Sequence, residues 1–303
     1  MSAIGTDHST ICYRAQIYVI KAAAASDSYE SVTREAHGIM LVWVTEAMTV
    51  NPPQHSNINM VPGRASPSYI IDGESIAVVD VCFPSDAKTI LTFVRSTLGR
   101  DVEDIKLIVL THSHIDHVNG VDYLVDKTHA ALVVHANAEK YLTGERSTPM
   151  PSWHDRIEFL RFFSKHSFPR PSISDVFLMP WAGVPGVKKG IRSKVSHWLV
   201  DGEDLPDHPE WKVIHTPGHT DDSICLYSSQ HKSLISGDTI LNLQGQLALS
   251  PLVRLDSEAL TESLKRLKRL QVDKIYPGWG PPVFVENILD RISVDALSRQ
   301  VAS

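Results

Sequence analysis

Residues 105–120 read IKLIVLTHSHIDHVNG. The first part of this stretch, KLIVL, is a short and nearly unbroken apolar run, the pattern of a strand covered on both faces. The run leads straight into His112, His114, Asp116 and His117, which fall in a loop at the strand's C-terminal end. Loops at strand ends are where α/β proteins carry reactive groups. Three imidazoles and a carboxylate this close together are all polar and would repel one another if charged alike, so packing does not account for them. Imidazole nitrogen and carboxylate oxygen suit zinc, and also iron or manganese. In extended chain His112 and His114 project to the same side and can reach one ion. Asp116 and His117 follow where the chain turns into a helix, and can point to a second ion close by.

On either side the pattern is of strands alternating with helices. SYIIDGESIAVVDV (residues 68–81) is two apolar runs hinged on Asp72-Gly73, a strong hairpin signal. Residues 85–98 carry helical apolar spacing through Ile90, Leu91, Val94 and Leu98. Beyond the histidine loop, VNGVDYLVDK reads as a short helix and ALVVHA as the next buried strand. WKVIHTPGHT and the hairpin-like SICLYSSQHKSLISGD resume the strand series. DSEALTESLKRLKRL is an amphipathic helix that Asp256 or Ser257 can cap, with Leu260, Leu264, Leu267 and Leu270 on one stripe. KIYPGWGPP is a strand entering a tight turn, and VENILDRISVDALSRQ reads as a closing helix. Residues 1–36 form an N-terminal extension, and HGIMLVWVTEAM from His37 reads as a first strand of the domain 37–303. The stretch from about 137 to 198 is rich in prolines and aromatics and poor in strand pattern, which predicts a mostly helical insertion. Strands in two series, each with helices to cover one face, predict a layered α/β sandwich.

Composition agrees with a soluble enzyme. The chain has 303 residues, 43% hydrophobic and 21% charged, with 35 acidic residues against 29 basic and a formal charge of -6. That apolar content can bury a large core, and the acidic balance argues against gripping nucleic acid. No apolar run reaches the roughly 20 residues that cross a bilayer. The N-terminal alanine run lacks a basic n-region and is broken by Arg14, Gln16 and Lys21, so it is a poor signal peptide and a cytoplasmic location is expected. Cys12, Cys82 and Cys225 are odd in number and widely spaced, implying no disulfide framework.

H-x-H-x-D-H at 112–117 resembles the signature of the metallo-β-lactamase-fold hydrolases, and the likeness runs in order along the chain from about His37. Asp80 matches the aspartate of the first motif, which supports the ligand loop. His219, in HTPGHT, matches a histidine ligand, and Asp238, in LISGDTI, matches the aspartate that bridges two metals. The resemblance implies a four-layer αββα sandwich of the metallo-β-lactamase type. It implies that His112, His114 and His219 hold a first metal, Asp116 and His117 a second, and that Asp238 bridges them. One departure matters: the last motif usually ends Pro-Gly-His-Gly, and here Trp279 takes the place of the histidine. An indole N–H donates and cannot ligate a cation, so the second site is one ligand short.

Zinc, as one ion or two, is the expected cofactor, with iron or manganese as alternatives. Zinc lowers the pKa of its bound water from 15.7 to about 7, giving hydroxide at neutral pH to attack a carbonyl that the ion polarises. Asp116 is placed to orient that nucleophile or accept its proton. The expected reaction is hydrolysis of a small acyl substrate: lactone, ester, thioester or β-lactam. The aromatics of the insertion, Trp153, Phe159, Phe162, Phe163, Phe168 and Trp181, together with Trp279 as a pocket wall, favour a lactone or ester with a greasy acyl group. A phosphodiesterase or nuclease, a single-iron oxidoreductase and a metal-bound binding or sensor protein remain as alternatives. The partner expected is a small molecule, not nucleic acid or membrane, and a homodimer is left open. His135, His215 and His231 are read as surface or supporting histidines.

Overall fold

Strand pairing places every motif of the sequence at the end of a strand. In the computed structural model, residues 57–142, 145–146, 195–243, 245–249 and 256–292 are described. The expected extension 1–36, the strand 37–48, the body of the insertion with its aromatics, and the chain beyond residue 292 lie outside the described residues.

The first sheet runs β1 (Ile58–Val61), β2 (Ser68–Asp72), β3 (Ile76–Val79), β4 (Ile105–Val109), β5 (Ala131–His135), β6 (Val195–Leu199), neighbours in that order. β1 to β3 pair antiparallel, and β3 to β6 are parallel. Parallel neighbours need crossovers, supplied by α1 (Pro84–Ser96) between β3 and β4 and by α2 (Ile115–Val118) and α3 (Val121–Thr128) between β4 and β5. A short α4 (Glu139–Leu142) follows β5. The second sheet contains β7 (Asp204–Leu205), β8 (His208–His215), β9 (Ile224–Ser228), β10 (Ser233–Gly237), β13 (Lys274–Pro277) and β14 (Val283–Phe284), in the order β14-β13-β10-β9-β8-β7. Its one parallel pair, β10 with β13, is bridged by α5 (Ser257–Leu267). A small hairpin of β11 (Leu241–Leu243) and β12 (Gln246–Ala248) precedes α5.

The period-2 alternation of the strands sorts their side chains into three cores. Between the sheets, Tyr69, Ile71, Val79, Leu107 and Val109 meet Trp211, Val213, Leu226, Ile235 and Tyr276. The intervening residues Ile70, Val78 and Ile108 turn outward onto Ala87, Ile90 and Val94 of α1 and Leu124 of α3. On the far side Ile214, Cys225, Leu234 and Ile275 pack on Leu260, Leu264 and Leu267 of α5. These are the four layers expected, helix–sheet–sheet–helix. In β4 only Lys106 is exposed, as a strand covered on both faces requires. Asp256 caps α5 by accepting the Ala259 N–H at 2.9 Å. α1 starts with Pro84 and the Asp86 carboxylate accepts the Phe83 N–H at 3.1 Å.

Three local expectations change. The β2–β3 hairpin pairs Asp72 with Ile76, so its loop is Gly73-Glu74-Ser75 rather than a two-residue Asp-Gly turn. Arg100 fixes that loop, donating to Asp72 Oδ1 at 2.9 Å and to the Gly73 and Glu74 carbonyls. The end of the supposed helical insertion, Val195–Leu199, is strand β6, recruited by parallel pairing with β5. The closing segment begins as β14 and a 3-10 turn, Ile288–Arg291, instead of one continuous helix from Val285, because Ile288 and Leu289 are buried against the second sheet.

Candidate metal centre

The site lies where strands from both sheets end. His112 and His114 follow β4, His117 lies in α2 and Asp80 follows β3, all from the first sheet. From the second sheet come His219 after β8, Asp238 after β10 and Trp279 after β13. The two halves are joined where the Ile224 N–H donates to the Thr111 carbonyl at 2.9 Å.

The ligand atoms of His112, His114, His219 and Asp238, all four buried, lie within 4.8 Å of one another. His114 Nδ1 stands 3.1 Å from His112 Nε2 and 2.9 Å from His219 Nε2. Asp238 Oδ2 is 3.4 Å from His219 Nε2 and 4.0 Å from His112 Nε2. Four donors at 2.0–2.2 Å around a tetrahedral ion stand about 3.3–3.6 Å apart, and the observed separations bracket that spacing. A ring nitrogen carries either one proton or one lone pair. His114 Nδ1 therefore cannot make two good hydrogen bonds to the imidazoles on either side, whereas a shared cation satisfies all three rings. Burial, and then the like charges of His117, His114 and His219, hold His112 well below the usual imidazole range, so that it presents a lone pair at neutral pH.

His117 stands beside this group. Its Nδ1 lies 2.8 Å from Asp80 Oδ2, and its Nε2 faces Asp238 Oδ1 at 3.3 Å and Asp116 Oδ2 at 3.7 Å. His117 Nε2 and Asp238 Oδ1 are both buried without a hydrogen-bond partner. Burial pulls the His117 imidazole down, but Asp238, Asp80 and Asp116 outweigh it and raise it well above its ordinary range. Burial pushes the Asp238 carboxyl up. A cavity this rich in anionic oxygen calls for positive charge, and a cation between His117, Asp238 and Asp116 supplies it as a proton does.

Asp80 organises the approach. Its backbone is left-handed, φ 58°, which Asp tolerates better than most residues. Its carboxylate accepts the Thr111 N–H at 2.8 Å, the Thr111 hydroxyl at 2.7 Å and His117 Nδ1. Thr111 Oγ1 is also 3.1 Å from His112 Nδ1, so one carboxylate orients two imidazoles. Glycines make room. A Cβ at Gly278 would stand 2.2 Å from Asp238 Oδ1, and one at Gly237, φ 48°, would stand 2.8 Å from the Thr111 side chain. Trp279 follows directly; it is buried, and its carbonyl accepts the Asn242 N–H at 2.9 Å.

The family model described as the metallo-beta-lactamase superfamily matches residues 61–279. The chain belongs to that superfamily. A relative named probable metallo-hydrolase YflN, from Bacillus subtilis (strain 168), is 25% identical over 241 residues, covering 76% of this chain and 83% of its own. A hydroxyacylglutathione hydrolase from Francisella tularensis subsp. novicida (strain U112) is 24% identical over 213 residues, covering 69% of this chain and 60% of its own. Among solved structures, a metallo-beta-lactamase family protein from Thermus thermophilus, TTHA1429, shares the fold with a TM-score of 0.53 at 22% identity, over 81% of this chain and 79% of that one. Superfamily membership accords with the helix–sheet–sheet–helix layering and with a buried cluster of metal-ligating side chains.

The motif-based reading missed three supporting residues. Thr111 shows no signal beyond lying in LTH. Ser113 sits unremarked between two histidines, and Asp222 lies in a run, Thr220-Asp-Asp-Ser, that reads as an ordinary polar turn. His135 and His215 lie outside the centre and stack on each other, centroids 4.1 Å apart and planes at 12°. Cys82 and Cys225 are buried free thiols, and burial pushes Cys225 up to about 11. No described helix is long and apolar enough to cross a membrane.

Proposed function

We propose that the chain hydrolyses a small acyl substrate by attack of water on its carbonyl, with a thioester first among the thioester, lactone, ester and β-lactam classes. The observation that carries this reading is the convergence of His112, His114, His219 and Asp238 within 4.8 Å, three neutral-type donors and one carboxylate from both sheets. These four would hold one ion, zinc by donor set with iron or manganese as alternatives. Asp116 and His117, with the second oxygen of Asp238, would hold another less completely. An ion held there supplies a Lewis acid for the carbonyl oxygen and lowers the pKa of a water to about 7.

The remaining work falls to the chain's own groups. Asp116 is the least buried carboxylate of the centre, its side chain 23% exposed against 8% for Asp238. It is therefore the group that meets incoming water and substrate, orients the nucleophile and accepts its proton. Asp80 fixes His117 through Nδ1 and His112 through Thr111, leaving the opposite ring nitrogens aimed inward. The preference for a thioester is supported by the hydroxyacylglutathione hydrolase relative; of the aromatic residues that favour a lactone, those of the insertion lie outside the described part of the chain and only Trp279 lies within it. The test is metal content of the purified protein together with turnover of a glutathione thioester, an acyl-homoserine lactone and nitrocefin. Chelator-sensitive hydrolysis of the thioester above the other two is expected; bound metal with no turnover of any of them would overturn the proposal.

A further inference from the structure

The histidine ligands of the first site come from two loops on different sheets, and their spacing depends on how those loops are held together. Ser113 stands between His112 and His114, and its hydroxyl donates to Asp222 Oδ2. Ser113 is 3% exposed and Asp222 1%. Asp222 follows His219 by three residues, and the side chain of Thr220, next to His219, also hydrogen-bonds the Asp222 carboxyl. Thr220 is itself held by Ser223, its N–H donating to Ser223 Oγ at 3.2 Å and its hydroxyl lying 2.6 Å from the same oxygen. One carboxyl thus touches the residue between two ligands of the first loop and the residue beside the ligand of the second.

From this juxtaposition we infer that Asp222 is a positioning residue of the metal centre. It acts through Ser113 to set the separation between the His112–His114 pair and His219. The inference rests on the metal site proposed above. Core packing does not explain the residue. Its Oδ1 is buried with no hydrogen-bond partner, and a buried carboxyl that leaves one oxygen unsatisfied costs stability. A serine or asparagine would tie the loops with less desolvation. Asp222 makes no contribution to the donor set, because His112, His114, His219 and Asp238 complete it. What it supplies is registry: His114 Nδ1 lies 2.9 Å from His219 Nε2 across the junction that the Ser113–Asp222 bond spans. A slip of even half an ångström there moves a donor out of the 2.0–2.2 Å range that zinc requires.

The experiment is a chelator competition giving the zinc Kd of the full chain. It compares the parent with Ser113→Ala, Asp222→Ala, the double variant, Asp222→Asn and, as a ligand control, His114→Ala. Ser113→Ala and Asp222→Ala should each weaken zinc about 10- to 100-fold, the effect of removing groups that orient ligands. The double variant should match the weaker single variant within about twofold, since both remove one bond. Asp222→Asn should restore parental affinity within about threefold, because its amide oxygen still accepts the Ser113 hydroxyl. Zinc binding unchanged in both single variants, while His114→Ala loses it, would overturn the inference and leave the metal site standing. Losses that add in the double variant, or that asparagine fails to rescue, would assign the effect to local damage and overturn it equally. If Asp222→Ala does not fold, Ser113→Ala decides alone. A parent chain that takes up no zinc, iron or manganese would instead overturn the metal site itself.

Discussion

The Nδ1 of His117 meets the Oδ2 of Asp80 at 2.8 Å, in a contact where neither group reaches solvent. Because Nδ1 is engaged by Asp80, Nε2, 3.3 Å from Asp238 Oδ1, is the nitrogen that would offer its lone pair once a cation replaces the second proton of the ring. A residue after the end of β3 therefore decides which nitrogen of a helix residue is offered to the centre.

Replacing Asp80 tests that control. Asp80→Ala leaves the Thr111 N–H, the Thr111 hydroxyl and His117 Nδ1 without their shared acceptor. Loss of unfolding free energy of about 3 kcal/mol is expected, with metal affinity falling about 10- to 100-fold. Asp80→Asn should separate the two effects. Asparagine tolerates the left-handed backbone at φ 58° and keeps an acceptor for Thr111, but gives His117 no anionic partner. Denaturant unfolding should show the smaller loss for asparagine, while chelator titration shows nearly the alanine value.

Gly278→Ala probes the opposite wall. The added methyl would stand 2.2 Å from Asp238 Oδ1 and 2.7 Å from the Gly237 carbonyl carbon, and backbone cannot swing aside as a side-chain tip can. Asp238 must shift, so metal affinity should fall at least tenfold and stability by about 2 kcal/mol or more. Gly99→Ala is the control: φ is 65° there with nothing within 4 Å, so only backbone strain of about 1 kcal/mol and no change in metal affinity is expected. Equal effects from the two would show that the close approach at Asp238 does not matter.

Much of this centre was legible in the sequence, for a physical reason. Side chains able to ligate metal are few, chemically distinctive and here tied to strand ends, so His112, His114, Asp116, His117, His219 and Asp238 stand out against apolar runs. Asp80 stood out only through its match to a motif, since an aspartate ending a strand is common. Supporting contacts such as Thr111 to Asp80 or Ser113 to Asp222 join residues 31 and 109 positions apart, and serine or threonine in a turn is the unremarkable choice. The same limit explains strand β6 and the closing segment. Val195–Leu199 becomes a strand because β5 offers it an open edge, and Ile288–Arg291 forms a 3-10 turn whose Ile288 and Leu289 are buried in the cluster between α5 and the second sheet; neither cause is local.

His135 gives the stability a pH dependence separate from the ligands. Burial, and then its stacked neighbour His215, lower its pKa to about 4, although Asp201 and Asp221 push the other way. The unfolded chain takes up this proton near pH 6.5 and the folded chain only near pH 4. Between those values the unfolded state binds more protons, so stability is complete above about pH 6.5 and is lost as pH falls through the window. With metal removed by chelator, His135→Gln should flatten the fall by up to about 1.4 kcal/mol per pH unit, measured by urea unfolding from pH 7 to pH 4. An identical slope in the variant would place the titration elsewhere.

Replacing Trp279 tests how many ions the centre can hold. Asp116, His117 and one oxygen of Asp238 give the second position three donors, and the indole that follows β13 adds none. The turn carrying it is pinned on both sides. Gly278 lies against Asp238, and Gly280, φ 86°, lies so close to Asn242 that a Cβ there would stand 1.8 Å from the Asn242 carbonyl oxygen. A histidine at 279 would therefore keep the backbone position of the tryptophan and place an imidazole in the turn that lies against Asp238. The parent should retain about one ion per chain after dialysis against a weak chelator, and Trp279→His should approach two, read by elemental analysis. Because Trp279 is 7% exposed, its truncation should also cost the metal-free chain about 2–4 kcal/mol, which saturating metal partly restores. Two tightly held ions in the parent, with no gain in the variant, would show that a donor outside this set completes the second position.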